Sequence, residues 1–213
     1  MILLHRRAVL AGLATLPVIG GAASASEFYP VPVELLEGFN ALQGKVTLGN
    51  PDADVMLVEF FDYNCPYCKG AAKDVRPLLK ANKDLASVLV NYAVLGIPSI
   101  GATRVALAFS RQKPERYLDF HEQLFATRGT VGPDHAIAVA LKLGANKAQL
   151  LEDADSDPVT QAMKGAAKLG NDLGMRATPS YLIGRDVFAG FLTKRQKQAA
   201  IEAYRKCERA VCG

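Results

Sequence analysis

The sequence predicts a mixed α/β domain interrupted by a block of helices, and three observations carry that prediction. Val55 to Phe61 is a nearly continuous apolar run of strand length, broken only by Glu59, as expected of a strand buried on both faces. A helix and a second apolar run, Val88 to Leu95, follow it, so the two runs form a parallel βαβ unit. From Ile100 to about Gly174 every segment has helical patterning, after which two short strands around Gly184-Arg185 read as a hairpin.

The elements follow in order. Ser26 to Gly44 holds an extended start and a short amphipathic stretch (Val33, Leu35, Leu36, Phe39, Leu42). Lys45 to Leu48 is a short strand closed by the turn residues Gly49-Asn50-Pro51-Asp52. After the Val55 strand, Asp62 to Pro66 reads as a strand-to-helix turn with Pro66 in the first helical position. That helix runs to about Asn82, with Pro77 expected to kink it. The helical block divides at Gly, Pro and Asn breaks into Ala102–Gln112, Glu115–Ala126, Asp134–Leu143, Lys147–Ala154 and Val159–Leu173, with Asp157-Pro158 capping the last. Tyr181–Ile183 and Asp186–Ala189 are the hairpin strands, and Thr193 caps a final helix reaching toward Cys207. The expected organisation is an N-terminal segment over 26–54 and one domain over 55–213, interrupted by the helices at about 100–174.

The chain has 213 residues, half of them hydrophobic and 22% charged, which suits one compact core. Its net charge is +4, and two of those charges are Arg6 and Arg7 in the first 25 residues. The balance left is too small to suggest binding to nucleic acid or to a membrane surface. His5-Arg6-Arg7, the apolar stretch Ala8 to Gly20 and the small residues Ala22-Ala23-Ser24-Ala25 are the three parts of a signal peptide over 1–25, with cleavage expected after Ala25. Arg6-Arg7-Ala8-Val9-Leu10 also resembles a twin-arginine signal, so either that route or the general secretory route is open. Both lead to an oxidising compartment, the periplasm, where disulfide chemistry is sustainable.

Cys65 and Cys68 are the strongest chemical signal. Two thiols three positions apart on the first turn of a helix can close a disulfide without unfolding the domain. The helix N-terminus offers unpaired N–H groups and partial positive charge, which stabilise a thiolate at Cys65. At the extreme, a thiol pKa falling from ~8.5 to ~3.5 favours the reduced form by about 7 kcal/mol and makes the disulfide form a strong oxidant. The competing readings are a structural disulfide, half of a zinc site and two unrelated buried thiols. Zinc needs two more ligands, and only the terminal Cys207 and Cys212 could supply them. A structural bridge rarely sits at the strand-to-helix turn of a βαβ unit.

Glu59-Phe60-Phe61-Asp62-Tyr63-Asn64-Cys65-Pro66-Tyr67-Cys68-Lys69 resembles the active-site segment of the DsbA-like thiol:disulfide oxidoreductases. Ala177-Thr178-Pro179-Ser180-Tyr181-Leu182-Ile183-Gly184 resembles that family's second motif, in the expected order. The resemblance implies a thioredoxin fold with a helical insertion domain, and 110 residues between Cys68 and Pro179 leave room for one. It further implies that Cys65 is an exposed nucleophile, that Cys68 is the shielded resolving thiol and that Pro179 is a cis proline against the pair. Pro66, Tyr67, Thr178 and Pro179 would then meet substrate, with the Thr178 backbone free to pair with an extended peptide. Glu59, a carboxylate in an apolar strand, should have a raised pKa, and the resemblance makes it the group that moves the proton of Cys68.

Tyr67 stands where the DsbA oxidase has His, and the Cys-Pro-Tyr-Cys form also occurs in isomerases and reductases of the DsbG and ScsC type. The segment from Ser26 to Val55 is too short for the stalk that builds oligomeric isomerases, which favours a monomeric oxidase. Such an oxidase would pass its disulfide to reduced exported proteins and be reoxidised by a DsbB-like membrane partner. A reductase or isomerase would instead depend on a DsbD-like or ScsB-like partner. A third reading makes the pair a copper(I) site. No Gly-rich phosphate loop is present, and the oxidase needs no cofactor.

Cys207 and Cys212 lie too far apart on an intact helix to be bridged, so a disulfide requires the helix to end near Cys207 and the tail to fold back. A small structural disulfide is expected there. His121, among Tyr117, Phe120, Leu124 and Phe125, reads as a core residue, and the basic residues from Lys194 to Arg209 read as a solvated helix face.

Overall fold

The computed structural model describes residues 27–213, so the expected signal peptide lies outside the described residues. In chain order the elements are β1 (Tyr29–Pro30), α1 (Val33–Ala41), β2 (Val46–Gly49), β3 (Val55–Phe61), α2 (Pro66–Ala81), β4 (Leu85–Asn91), α3 (Ile97–Gln112) and a 3-10 turn (Pro114–Arg116). Then come α4 (Tyr117–Ala126), α5 (Pro133–Lys142), α6 (Lys147–Ala154), α7 (Asp157–Asp172), β5 (Ser180–Ile183), β6 (Asp186–Ala189) and α8 (Lys194–Cys207). Six strands form one sheet in the order β1-β6-β5-β3-β4-β2. Only β3 and β4 are parallel; every other pair in the sheet is antiparallel.

Strand β3 is central because its apolar side chains have a buried surface on both sides. Val58 and Phe60 pack with Val88, Val90 and Leu182 against Phe39 and Leu42 near α1 and Ala166 and Leu169 of α7. Val55 and Leu57 pack on the opposite face with Tyr181, Ile183 and Phe188 against Leu78 of α2 and Ala200 and Ile201 of α8. Strand period two therefore puts Glu59 on the α2/α8 face. A third apolar cluster, made by Phe61, Cys68 and Val75 with residues of α3, α4, α5 and α6, joins a helical cap to the upper end of α2. Helix α7 makes the crossover back to the sheet, with Ala166 and Leu169 on the sheet and Val159 and Ala162 against Leu107 of α3.

Several boundaries differ from the sequence expectation. The second buried strand is Leu85–Asn91 rather than Val88–Leu95, because parallel register pairs Val55 with Leu85 and Phe61 with Asn91. Beyond Asn91, Tyr92 N still donates to the Phe61 carbonyl at the end of β3, and the backbone of Val94 and Leu95 then turns to bond Asp62. Helix α3 starts at Ile97 rather than Ala102, after Gly96 takes the left-handed φ of 101° that a side chain would resist. Pro77 lies inside an α2 that continues to Ala81. Helix α7 begins at Asp157, with Ser156 in the capping position. The two-residue edge strand β1, paired with β6, is too short to leave a sequence signal. Among the described residues no helix is long and apolar enough to cross a membrane.

Candidate active site

The turn after β3 places Cys65 as the N-cap of α2, in extended backbone (φ −82°, ψ 119°), with Pro66 in the first turn. Pro66 has no N–H to leave unsatisfied there, and the fixed proline φ suits the helix start. Both thiols are free. Cys68 is completely buried, and Cys65 is only 5% exposed. That corrects the expectation of an exposed nucleophile. The cover comes from the far side of the sequence: the Cys65 thiol donates to the Thr178 carbonyl at 3.0 Å, and the Thr178–Pro179 peptide is cis. Gly190 N–H donates to the Pro179 carbonyl at 3.0 Å and ties that loop to the end of β6. Tyr67 is 63% exposed beside the pair, its ring 6.1 Å from that of Phe191.

The two sulfurs are electrostatically unlike. The Cys68 thiol, then Thr178 and the N–H groups of Cys68 and Tyr67, stabilise a thiolate at Cys65 and lower its pKa to about 6, against the opposing effect of burial. Cys68 is driven strongly the other way, first by burial, then by its bond to Cys65 and by the charge of Glu59. At neutral pH the pair therefore carries a thiolate at Cys65 and a proton at Cys68. That is the arrangement thiol–disulfide exchange requires.

Glu59 is buried on the α2/α8 face, and burial raises its pKa, with Asp74 adding to the effect and Lys197 opposing it. Lys197 is a residue that sequence reasoning missed. It comes from α8, is 1% exposed, and is not part of a solvated helix face as expected. Its ammonium lies 3.7 Å from Glu59 Oε2 and 3.2 Å from Asp74 Oδ2, and donates to the Ala71 carbonyl at 3.3 Å. It also sits 5.2 Å from the centre of the Tyr181 ring. The one available signal was spacing: Lys197 falls three and four positions before Ala200 and Ile201, on the apolar stripe of α8.

Asp62 was also passed over. It is fully buried and accepts four hydrogen bonds, from Asn64 N, Ser99 Oγ, Val94 N and Leu95 N. His121 is a core residue ringed by Phe61, Tyr63, Tyr117 and Phe125, and burial lowers its pKa to about 3.

At the other end of the chain, Cys207 and Cys212 are joined in a disulfide with Cα atoms 6.0 Å apart. Helix α8 ends at Cys207, and Glu208 takes a left-handed φ of 56° that turns the tail back. Asp186 holds the tail by accepting from Arg209 Nε and Ala210 N. Among the described residues no group of three or more His, Cys, Asp or Glu side chains is placed to hold a metal.

A thiolate-forming Cys on a helix start, a buried partner three residues on and a cis proline loop against it, on a sheet of this topology, define a thioredoxin-fold thiol:disulfide oxidoreductase. Comparison with known proteins agrees. The thioredoxin family model matches residues 41–203, and the chain belongs to that family. The chain is 25% identical over 183 residues to disulfide bond formation protein D of Bacillus subtilis, spanning 79% of this chain and 81% of that one. Among solved structures it is similar to a thioredoxin-like oxidoreductase from Silicibacter pomeroyi, with 34% identity, a TM-score of 0.75 and coverage of 83% of this chain and 99% of that one. Its fold also matches the thiol-disulfide exchange protein alpha-DsbA2 from Wolbachia pipientis, at 23% identity and a TM-score of 0.73, over 80% of this chain and 91% of that one.

Proposed function

We propose that this protein is an exported oxidase that introduces disulfides into other exported proteins through Cys65 and Cys68. The observation that supports it is the opposed state of the two sulfurs, an acidic Cys65 over a proton-retaining Cys68. A substrate thiolate attacks the Cys65 sulfur of the oxidised pair, forming a mixed disulfide while Cys68 leaves as a thiolate. Glu59, whose pKa burial raises, supplies the proton to Cys68 and takes one up again from solvent before the next cycle. A second substrate thiolate then attacks the substrate sulfur of the mixed disulfide, and Cys65 departs as the thiolate its surroundings favour. The substrate gains a disulfide, and the protein is left reduced.

Pro66, Tyr67, Thr178 and Pro179 form the substrate contact, with the Thr178 backbone pairing to an extended peptide. A DsbB-like membrane protein restores the disulfide, and the protein works as a monomer in the periplasm once residues 1–25 are removed. Two measurements on the purified protein test the reading. In a glutathione titration the pair should equilibrate at an oxidising potential, well above that of thioredoxin. Reduced, unfolded substrate should gain disulfides stoichiometrically with the oxidised protein. A reducing potential together with repair of scrambled substrate would replace the oxidase with a reductase or isomerase served by a DsbD-like or ScsB-like partner. Tight copper(I) binding without exchange would make the pair a metal site.

A further inference from the structure

His121 is a buried titratable side chain that the thiol chemistry leaves unused. It lies on α4 with no exposed surface, and neither Nδ1 nor Nε2 has a hydrogen-bond partner. Aromatic rings surround it, with centroids at 4.7 Å for Phe61, 4.9 Å for Phe125, 5.8 Å for Tyr63 and 6.2 Å for Tyr117. The nearby polar groups bond one another. Tyr63 and Tyr117 hydroxyls meet at 3.3 Å, and Asn91 Nδ2 donates to Tyr117 at 2.9 Å.

The charged groups of the elements packed around α4 are engaged elsewhere or face water. On α2, Arg76 pairs with Asp119 and Glu122, Asp74 with Lys197, and Lys69 donates to the Thr127 carbonyl. Arg104 of α3 donates to the Ala154 carbonyl, and Asp62 is held by its four donors. Lys73 and Lys80 of α2, Arg111 of α3, Glu115 and Arg116 of the 3-10 turn, and Asp134, His135 and Lys142 of α5 are exposed. The titratable groups that share the apolar cluster are Tyr63, Tyr117 and Cys68, and burial favours the neutral form of each. An imidazolium here would be a charge without a counter-ion, carrying two N–H donors without acceptors. The ring can therefore take up a proton only by reaching water, and burial lowers its pKa to about 3. Two of the rings it touches lead to the thiols: Phe61 ends β3, and Tyr63 lies in the turn that delivers Cys65.

We infer that His121 is an acid-sensitive catch between the helical cap and the thiol site: when it takes up a proton, α4 parts from Phe61 and Tyr63, and the turn that carries Cys65 loosens while the sheet stays folded. In the open form the ring titrates near its ordinary 6.5, and in the closed form at about 3. Closure is thus fully favoured above pH 6.5 and loses about ten-fold per pH unit from there down to about pH 3. The catch works in the same way whether the thiol pair oxidises or reduces its substrates.

Amide hydrogen exchange on the mature chain tests it, with wild type and His121→Phe compared at each pH from 7 to 5. Phe keeps a ring in the aromatic cage and cannot be protonated. Asn64 N donates to Asp62 Oδ1 and Cys65 N to the Asp62 carbonyl, so these two amides report on the turn. Protection of the α4 amides and of Asn64 and Cys65 should fall roughly twenty-fold more in the wild type than in the variant between pH 7 and pH 5. At pH 5 it should also lie well below the protection of Val58 and Val88 in the sheet. Equal protection of α4 and the sheet at every pH would mean that only global unfolding frees the ring, and would overturn the inference. So would a wild type no more pH-sensitive than the variant, or a turn whose pH course differs from that of α4. If His121→Phe does not fold, nuclear magnetic resonance of the wild-type imidazole carbons decides, with exposed His135 as the internal reference. The His121 signal should remain that of a neutral ring down to pH 5, and a midpoint near 6.5 in the folded protein would overturn the catch.

Discussion

The two cysteine pairs of this chain occupy opposite ends of helices, and the contrast shows what makes a sulfur reactive. Cys65 and Cys68 stand at the start of α2, where the Cys68 thiol, then Thr178 and the N–H groups of Cys68 and Tyr67, lower the pKa of Cys65 to about 6. Cys207 and Cys212 stand at the end of α8, where the groups on offer are carbonyls: Cys207 Sγ lies 3.2 Å and Cys212 Sγ 3.4 Å from the Ala203 oxygen. The first pair has a helix N-terminus to stabilise a thiolate, and the second pair, at a helix C-terminus, has none. Burial runs against intuition. The proposed reactive pair is the covered one, and the bonded pair is closer to solvent. Local dipoles outweigh exposure in setting sulfur chemistry here.

The sharpest way to break the contrast is to remove sulfurs from each pair. Cys65→Ser should reduce disulfide transfer to the uncatalysed level in a substrate oxidation assay, while the double variant Cys207→Ser, Cys212→Ser should retain it. Loss of transfer in the double variant would mean that the terminal pair takes part in the chemistry.

Next in size is the proton-transfer effect. Glu59→Gln keeps the shape but cannot give up a proton, so exchange should slow by roughly ten- to a hundred-fold, within the range for one acid–base group. The fold, followed by circular dichroism, should persist. Unchanged rates would remove Glu59 from the mechanism.

The pH dependence separates the pairs directly. Only the thiolate is alkylated, so iodoacetamide labelling of Cys65 should rise with pH and be half-maximal near pH 6, then level off. The folded-state pKa is lowered, so the stabilisation of the reduced protein is fully present above the ordinary thiol value of 9.0 and is lost as pH falls through about 6. Denaturation of the reduced and oxidised forms at several pH values should show that trend. A labelling midpoint near 9 would show that the helix start does not activate the sulfur.

The smallest expected effect is on stability. Breaking the Cys207–Cys212 bridge releases a short loop, and the chain-entropy estimate for such a loop is about 2 kcal/mol. The tail also keeps its Asp186 contacts with Arg209 and Ala210, so urea denaturation should show a loss at or below that figure. A loss well above it would give the bridge a larger part in the fold.

Much of this molecule was legible in the sequence because the signals are local. The Cys65-Pro66-Tyr67-Cys68 spacing, the proline at the helix start, the apolar run interrupted by Glu59 and the cap at Thr193 are each read from residues a few positions apart. The chain alone therefore determined that two thiols would share the first turn of a helix behind a buried strand.

Tertiary structure decided the state of those thiols, because the groups that set it arrive from far along the chain. The Thr178 carbonyl covers Cys65 from 113 positions away, and Lys197 reaches Ala71 beside Glu59 from 126 away. Strand pairing, not hydrophobicity, ended β4 at Asn91 and freed the Val94 and Leu95 amides for Asp62. Periodicity reports which face of an element is apolar, but it carries no information about which distant charge or carbonyl will be packed against that face. For sulfurs and buried carboxylates, whose ionisation depends on atoms within a few ångströms, only the folded arrangement supplies those neighbours.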